Sequence, residues 1–170
     1  MGVTDVMQPF VTGAEDLIAV RETMKEEGAG ALRLFAKIEN RAGAQALTQI
    51  IPHADMVVIA RGDLGNSLPA YKLPVLQHSI AQICCRQNVP FMVVTQMLSS
   101  MEHSPVPTRA EVSDIYRAVA EGAGAVMVTG ETASGEYPVE VSRILVRTAM
   151  EAYKAVHTNM DETDRIKGLF

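Results

Sequence analysis

Charged and hydroxyl-bearing residues follow four short apolar runs in this sequence, and such residues could bind or react with a small anionic substrate. They are Lys37, Glu39, Arg61, Asp63, Thr95, Thr129 and Glu131. Two carboxylates with water suit a hard cation such as Mg²⁺, which takes one or two protein acids and keeps several waters. A lysine beside them suits a phosphorylated or enolic substrate. These residues lie far apart along the chain, so they could act together only if the fold gathers them.

The stretch Met56–Leu68, MVVIARGDLGNSL, shows this pattern most clearly. A short apolar run bounded by a polar turn is typical of a strand buried on both faces. Gly62 and Gly65 allow the backbone to approach a ligand closely, and a helical turn beginning near Leu64 would aim free N–H groups at an anion. The same residues are common in solvated turns. The stretch alone therefore leaves open an anion and metal site or an ordinary turn between a strand and a helix.

The elements that must position these residues alternate between strand and helix. Strands are predicted at Val3–Phe10, Leu32–Ile38, Met56–Ala60, Phe91–Gln96 and Ala125–Thr129. Helices are predicted at Ala14–Glu27, Ala42–Ile51, Lys72–Gln87, Thr108–Gly122 and from Val139 to about Ala155. Strict alternation favours an α/β fold, with a parallel sheet and the helices outside it. The carboxyl ends of parallel strands lie at one edge, where sites form, so the strand-end residues could face a common cavity.

Each strand-end residue also has a simpler interpretation. Lys37 could be a surface lysine, Thr95 an ordinary strand residue and Glu131 a helix cap. The recurrence of the pattern at four strand ends favours a site. The residues alone indicate an Mg²⁺-dependent enzyme that acts on a small phospho or keto acid.

The composition limits the classes of function. The 170 residues carry a net charge of −5 and are 48% hydrophobic, so no basic surface for nucleic acid or an anionic membrane is expected. No apolar run approaches about 20 residues, so we expect no membrane span, and the N-terminal residues lack signal-peptide features. Cys84 and Cys85 are adjacent and have no spaced partners for a disulfide or a zinc site. A cytoplasmic protein is expected.

Five stretches of the chain resemble the latter half of the pyruvate kinase barrel. They are AKIENRAG (36–43), VIARGDLG (58–65), VVTQMLSSM (93–101), PVPTRAEVSD (105–114) and MVTGETASGEYP (127–138). They occur in that family's order and spacing. The resemblance implies a partial (β/α)8 TIM barrel of about five parallel βα units over residues 1–157, followed by a polar tail over residues 158–170.

The resemblance also implies roles in catalysis and metal binding. Lys37 would stabilise the phosphoryl transfer and the enolate of pyruvate. Glu39 and Asp63 would hold the essential Mg²⁺, which Mn²⁺ could replace. Thr129 and Glu131 would join a water-mediated path that supplies a proton to the product.

Substrate contacts are implied in the same way. The residues concerned are Ala60, Arg61, Gly62, Asp63 and Thr95. The backbone N–H groups of Gly62 and Asp63 would bind the substrate carboxylate, Ala60 and Arg61 would line the floor, and Thr95 would contact the substrate near the carbon that gains a proton. The reaction of the family is phosphoenolpyruvate plus ADP giving pyruvate plus ATP, and its catalysis is largely positioning and charge neutralisation.

The resemblance leaves part of the family's barrel without a counterpart in this sequence. The first three strands, which carry the ligands for phosphate and K⁺, are missing, as are the lid domain and the C-terminal domain. K⁺ is thus expected for the family, but its ligands are absent here. A five-stranded piece of a barrel has two open edges, which are prone to pairing with other chains. We therefore expect self-association, a rearranged covering of the edges, or pairing with a separate chain that supplies the other half of the barrel.

Three functional hypotheses remain open at this point. The first is a pyruvate kinase fragment or split subunit that is inactive alone. The second is a non-catalytic module of the same descent that binds Mg²⁺ and an oxyacid or serves in assembly. The third is a carbon–carbon lyase that uses Mg²⁺ and a pyruvate enolate. The RGDLG and TGETASGEYP stretches favour the kinase over the lyase and do not separate the first two hypotheses.

Overall fold

The chain forms a five-stranded parallel sheet flanked by helices, in a computed structural model that describes residues 2–158 and 161–169. The strands are β1 (Asp5–Gln8), β2 (Arg33–Ile38), β3 (Met56–Ala60), β4 (Phe91–Val94) and β5 (Ala125–Met127). They lie in the order β1-β2-β3-β4-β5, and each adjacent pair is parallel. The predicted α/β fold with five parallel βα units is confirmed.

Helices connect the strands and follow the last one. They are α1 (Ala14–Glu26), α2 (Arg41–Gln45), α3 (Leu47–Ile50), α4 (Arg61–Asn66), α5 (Leu73–Arg86), α6 (Arg109–Ala120), α7 (Gly130–Ala133), α8 (Pro138–His157) and α9 (Glu162–Lys167). The single helix predicted over Ala42–Ile51 is in fact α2 and α3, which meet at Ala46, where ψ is 6°. The region predicted to be a polar tail contains the short helix α9.

Hydrophobic residues on the two faces of the sheet form separate cores. On the helix side, Leu34, Ile38 and Ile59 belong to a large core that includes residues of α1, α3, α5, α6 and α8. The opposite face has a smaller cluster, which consists of Phe35, Val58, Ala60 and Val94 with the partly buried Met7, Met56, Met92 and Met127. Because successive strand residues point to opposite faces, Lys37 lies on the same face as Phe35 and this smaller cluster.

Three strands end earlier than the sequence pattern predicts. β4 ends at Val94 because Thr95 and Gln96 both have positive φ, 68° and 54°. β1 ends at Gln8, before a proline and Phe10, whose φ is 52°. The third is β5, which ends at Met127 rather than Thr129. The ends of β1 and β4 therefore curl at the edge where a site was expected.

A capping box fixes the beginning of α6 as the sequence predicts. The Thr108 hydroxyl accepts a hydrogen bond from the N–H of Glu111, and the Glu111 carboxylate accepts one from the N–H of Thr108 at 2.8 Å. This carboxylate also accepts two bonds from Ser100, which ties the loop after β4 to α6. None of the helices in the described part of the chain is long and apolar enough to cross a membrane.

Candidate functional site

The carboxyl ends of β2, β3 and β4 lie side by side at one edge of the sheet, which we call the rim. In the strand register, Ile38 pairs with Ile59 and Ala60 pairs with Val94. Glu39 therefore follows β2 at the level where β3 gives way to α4. This arrangement places the predicted residues from different strands at a common edge, as the parallel topology requires.

Lys37 and Glu39 form an ion pair at the rim. Their Nζ and Oε1 atoms are 2.7 Å apart, with the Lys37 side chain 26% exposed and the Glu39 side chain 1% exposed. The second oxygen of Glu39, Oε2, accepts a hydrogen bond of 2.7 Å from the backbone N–H of Phe10, beyond the end of β1. The Glu39 carboxylate thus joins β1 to β2 and holds the lysine ammonium on the partly exposed side.

The turn after β3 is the beginning of a helix, which starts three residues before the predicted position near Leu64. α4 starts at Arg61, directly after the last residue of β3, and Asp63 lies in its first turn. Asp63 is exposed, and its carboxylate has no hydrogen bond or ion pair with the described residues. The backbone N–H of Gly62 donates to the Thr95 hydroxyl at 2.7 Å. A Cβ at Gly62 would lie 3.4 Å from that hydroxyl, so the glycine permits the close approach.

The Arg61 side chain is almost fully buried, and it points into the protein rather than into solvent. Its guanidinium donates to the carbonyl oxygen of Thr95 at 2.9 Å and to that of Gln96 at 3.1 Å. It also pairs with the Asp114 carboxylate on α6, with 2.5 Å between Nη1 and Oδ2. The predicted contribution of Arg61 to the substrate floor stays a prediction, and it would have to come from the backbone because the guanidinium is occupied.

The carbonyls that Arg61 binds belong to a strained turn. Thr95 and Gln96 are consecutive non-glycine residues in the left-handed region, which costs an L-residue about 1–2 kcal/mol each. A β-branched residue such as Thr95 is especially rare there. Such strain persists only where the surroundings impose it, and it concentrates at functional sites. The turn presents the Thr95 hydroxyl, which also donates to the carbonyl of Val94 at 2.6 Å.

Glu131 is a buried carboxylate with a full set of donors. One oxygen accepts from the N–H groups of Met97 and Leu98, each at 3.2 Å, and the other from the N–H of Thr129 at 2.8 Å. Burial raises the pKa of this carboxyl, but the hydrogen bonds from backbone N–H groups outweigh burial, so the pKa lies below its ordinary value. Glu131 is therefore an anion that fixes the loop after β4 to the end of β5, while the predicted proton path through Thr129 and Glu131 stays a prediction.

Three participants in this network were missed by the sequence analysis. They are Phe10, Asp114 and Gln77, and the last of these approaches Arg61 through its amide oxygen at 3.5 Å. The run that contains Phe10 also includes Pro9, which marks a break in a strand, so the turn could have been anticipated. Asp114 has no such local signal, because it lies 53 positions from its partner.

The donor set is compatible with a hard divalent cation. Two carboxylates, Glu39 and Asp63, come from adjacent strand ends, and Mg²⁺ typically takes one or two protein acids. Both oxygens of Glu39 are already bound, Oε1 to the Lys37 ammonium and Oε2 to the N–H of Phe10, so a cation here would have to share or displace one of these contacts. Across the described residues, no group of three or more histidine, cysteine, aspartate or glutamate side chains could hold a metal, so a cation here would depend on these two carboxylates and other ligands.

The chain is similar to known pyruvate kinases. It matches the family described as pyruvate kinase, barrel domain, over residues 1–142. It is 38% identical over 152 residues to a pyruvate kinase of Clostridium acetobutylicum, and the match covers 89% of this chain and 32% of that protein. It is 43% identical over 156 residues to pyruvate kinase 1 of Trypanosoma brucei brucei, with 92% and 31% covered. It is 38% identical over 155 residues to a pyruvate kinase of Geobacillus stearothermophilus, and the match covers 91% of this chain and 26% of that protein.

The parallel strands, the outer helices and the charged rim define a segment of a β/α barrel. The match to the barrel domain covers most of the chain, and it shows that this chain belongs to the pyruvate kinase family. The chain spans between 26% and 32% of the length of these three curated relatives. The resemblance stated from the sequence motifs is confirmed.

Proposed function

We propose that this chain supplies part of a pyruvate kinase phosphoryl-transfer site and becomes active only when another chain or segment completes the barrel. The observation that carries the proposal is the Lys37–Glu39 pair at 2.7 Å, which lies at the rim next to the helix that bears Asp63. A lysine and two carboxylates at neighbouring strand ends can neutralise a phosphoryl group and its counterion together. Membership of the family supports the same reaction, phosphoenolpyruvate plus ADP giving pyruvate plus ATP.

Lys37 is the residue to which we assign charge stabilisation. Its side chain is 26% exposed while the side chain of its partner Glu39 is buried, so we assign Lys37 to the contact with a ligand. Fixed positive charge at the point where negative charge develops is the main contribution that a protein makes to phosphoryl transfer. We assign Lys37 to the transferred phosphoryl group and the enolate oxygen of the product.

Glu39 and Asp63 are the residues to which we assign metal binding. Mg²⁺, or Mn²⁺ in its place, would supply electrostatic stabilisation of the substrate oxygens when bound. The buried Glu39 is held in place by Phe10 and Lys37, whereas the exposed Asp63 is free to adjust. We assign none of the residues of this chain to the binding of K⁺.

Gly62, Asp63 and Thr95 are assigned to the substrate carboxylate and its neighbouring carbon. The N–H of Gly62 is bound to the Thr95 hydroxyl at 2.7 Å, so a carboxylate that bound this N–H would displace or share the hydroxyl. The released hydroxyl would then be available to the substrate. Ala60 and Arg61 are assigned to the floor beneath these groups, because they link β3 to α4.

Thr129 and Glu131 are assigned to the path by which a proton reaches the product. The Thr129 residue is exposed, and its hydroxyl lies 3.5 Å from the buried Glu131 carboxylate. We assign the exposed hydroxyl to the contact with water. Glu131 keeps the hydroxyl in position as an anion.

Completion of the barrel is assigned to a second chain, or to a second copy of this one. β1 and β5 are the outer strands of the described sheet. The face of the sheet that carries Phe35 and the smaller cluster bears methionines that are only partly buried. Unpaired strand edges favour association. The proposed setting is the cytoplasm, where the small-molecule substrates of glycolysis are present.

Calorimetric titration of the chain with Mg²⁺ and oxalate, which mimics the enolate of pyruvate, tests the proposed site. Binding by the wild type and its loss in Asp63→Asn are expected. Asp164→Asn is the matched control, because Asp164 is an exposed aspartate on α9 that pairs with Lys167. A wild type that does not bind, or an Asp63→Asn variant that binds equally well, would contradict the proposal.

Activity is tested separately, by a coupled assay of the chain with and without an N-terminal half-barrel from a pyruvate kinase. Turnover is expected only in the mixture, and it should be lost in Lys37→Ala. Turnover in the mixture that survives Lys37→Ala would contradict the role of the lysine. Oxalate binding without turnover in the mixture would instead favour a non-catalytic module.

A further inference from the structure

We propose that Asp114 is a positioning residue, which acts through Arg61 to hold the Thr95 hydroxyl and the Gly62 N–H in the geometry needed at the rim. The proposal rests on the proposed function, because it assigns a purpose to the geometry of that same site. Asp114 lies on α6, outside the sheet, and none of the predicted site residues is on that helix.

Arg61 and Asp114 form a pair of opposite charges. Arg61 is 8% exposed, so its positive charge is largely removed from water and needs a partner. The Asp114 carboxylate provides it at 2.5 Å, with its side chain 32% exposed. The ion pair spans the space between the end of β3 and α6. Without the carboxylate, the guanidinium would be a buried and unpaired cation.

Arg61 also contacts the strained turn after β4. Two guanidinium nitrogens, Nε and Nη2, donate to the carbonyl of Thr95 at 3.3 and 2.9 Å, and Nη2 also donates to the carbonyl of Gln96. These two residues are the ones with left-handed backbone after β4. The planar fork of an arginine can bind two adjacent carbonyls, which a lysine cannot do in the same way. Arg61 therefore compensates the strain of the turn.

The strained turn in addition contacts Gly62 in the site. Left-handed φ at Thr95 directs its hydroxyl to the N–H of Gly62, with 2.7 Å between the two atoms. Arg61 and Gly62 are adjacent in the chain. The first turn of α4 therefore binds the Thr95 carbonyl through the Arg61 side chain and the Thr95 hydroxyl through the Gly62 N–H. Glu131 holds the next two residues, Met97 and Leu98, by their N–H groups. Arg61 thus holds residues 95 and 96, and Glu131 holds residues 97 and 98. Asp114 acts on the first of these contacts because it pairs with Arg61.

The test compares Asp114→Asn with Asp5→Asn in the 170-residue chain. Asp5 is also an aspartate paired with an arginine, Arg33, but it lies on β1 away from the turn. Nuclear magnetic resonance of the ligand-free protein reports the turn directly, because positive φ gives a strong intraresidue contact between the amide and α protons. We expect this signature to weaken at Thr95 and Gln96, and the Gly62 amide to exchange faster, in Asp114→Asn only.

Ligand binding supplies the functional readout. Affinity for Mg²⁺ with oxalate is expected to fall on the order of tenfold in Asp114→Asn, since small displacements at a site have large effects, and to be unchanged in Asp5→Asn. An unchanged turn signature and unchanged Gly62 exchange in Asp114→Asn would overturn the proposal. So would an equal loss of affinity in the two variants.

Two further results keep this proposal separate from the proposed function. If the wild type does not bind Mg²⁺ and oxalate but Asp114→Asn still loses the turn signature, the positioning role holds and the proposed function fails. If Asp114→Asn does not fold, Arg61→Lys takes its place, because it keeps the positive charge and removes the fork. Retention of the Thr95 and Gln96 signature in Arg61→Lys would then overturn the proposal.

Discussion

The hydroxyl of Thr95 accepts a hydrogen bond of 2.7 Å from the backbone N–H of Gly62, and this bond joins the end of β4 to the first turn of α4. Both partners belong to the residues predicted to contact the substrate. In the ligand-free protein the predicted anion-binding N–H is therefore satisfied internally. The bond makes the strained turn and the start of the helix a single unit.

Thr95→Val should destabilise the protein by about 1–2 kcal/mol, because the N–H of Gly62 loses its acceptor while the shape of the side chain is kept. Both residues are β-branched, so the backbone strain is the same in the two proteins. Urea unfolding of wild type and variant measures the difference. Thr48→Val, at an exposed position on α3, is the control and should stay within about 0.5 kcal/mol. Equal effects at the two positions would show that the hydrogen bond contributes little.

Gln96→Gly should stabilise the protein by about 1 kcal/mol, since glycine adopts a φ of 54° without the penalty that glutamine has there. Gln96 is exposed and binds Arg61 through its carbonyl, which the substitution keeps. The control is Gln87→Gly, because Gln87 has a φ of −96°. That variant should be less stable by roughly 0.5–1 kcal/mol. Thermal unfolding of both variants should show shifts of opposite sign, and shifts of the same sign would contradict the argument from strain.

Glu131→Gln should destabilise the protein by about 1.5–3 kcal/mol at neutral pH, because charge-assisted hydrogen bonds to three backbone N–H groups are replaced. The folded-state pKa of Glu131 lies below its ordinary value of 4.5. The stabilisation is therefore complete above that value and is lost as the pH falls through the lowered folded-state pKa.

Unfolding free energies from pH 7 down to the acid limit of folding measure this dependence. The wild type should lose stability below about pH 4.5, and Glu131→Gln should show a shallower decline over the same range. Glu151→Gln is the control, since Glu151 is exposed and pairs with Lys154. An identical pH profile for wild type and Glu131→Gln would refute the assigned role of the carboxylate.

Gly43→Ala should destabilise the protein by at least about 2 kcal/mol, because a Cβ there would lie 2.3 Å from the carbonyl oxygen of Val11. That carbonyl also accepts from the Asn40 amide, so the loop after β1 would have to move away from the rim. Gly30→Ala is the control, because its nearest neighbour would be 3.4 Å away, at the flexible side chain of Lys25. Chemical denaturation should separate the two variants clearly, and similar midpoints would contradict the close contact.

Much of the fold could be predicted from the sequence, because the apolar runs have clear lengths and alternate with helical patterns. The strand Met56–Ala60 has the predicted bounds, and the capping box at Thr108 is formed as predicted. The parallel topology then required the polar strand ends to share an edge. The Lys37–Glu39 contact is local, because the two residues lie two positions apart at the end of β2.

The connections behind the rim could not be predicted in the same way. Positive φ at Thr95 and Gln96 has no sequence signal, since neither residue is glycine or asparagine. The Arg61–Asp114 pair depends on how α6 packs against the sheet, and residues of this kind also occur as ordinary surface charges. Glu131 binds backbone N–H groups, which nearly every residue has, so the types of its partner residues do not indicate the contact. These contacts depend on packing between segments that are distant in the chain, and local sequence patterns do not predict such packing.

The order of the strands in the sheet is the same as their order in the chain. Each strand from β2 to β5 therefore finds its first neighbour in the strand made just before it, only one helical connection away. During synthesis on the ribosome the five described strands could pair one at a time, because each strand after β1 has one neighbour that is already made. Among these five strands β5 is the last to be made, so its edge is the last of this sheet to become available for pairing.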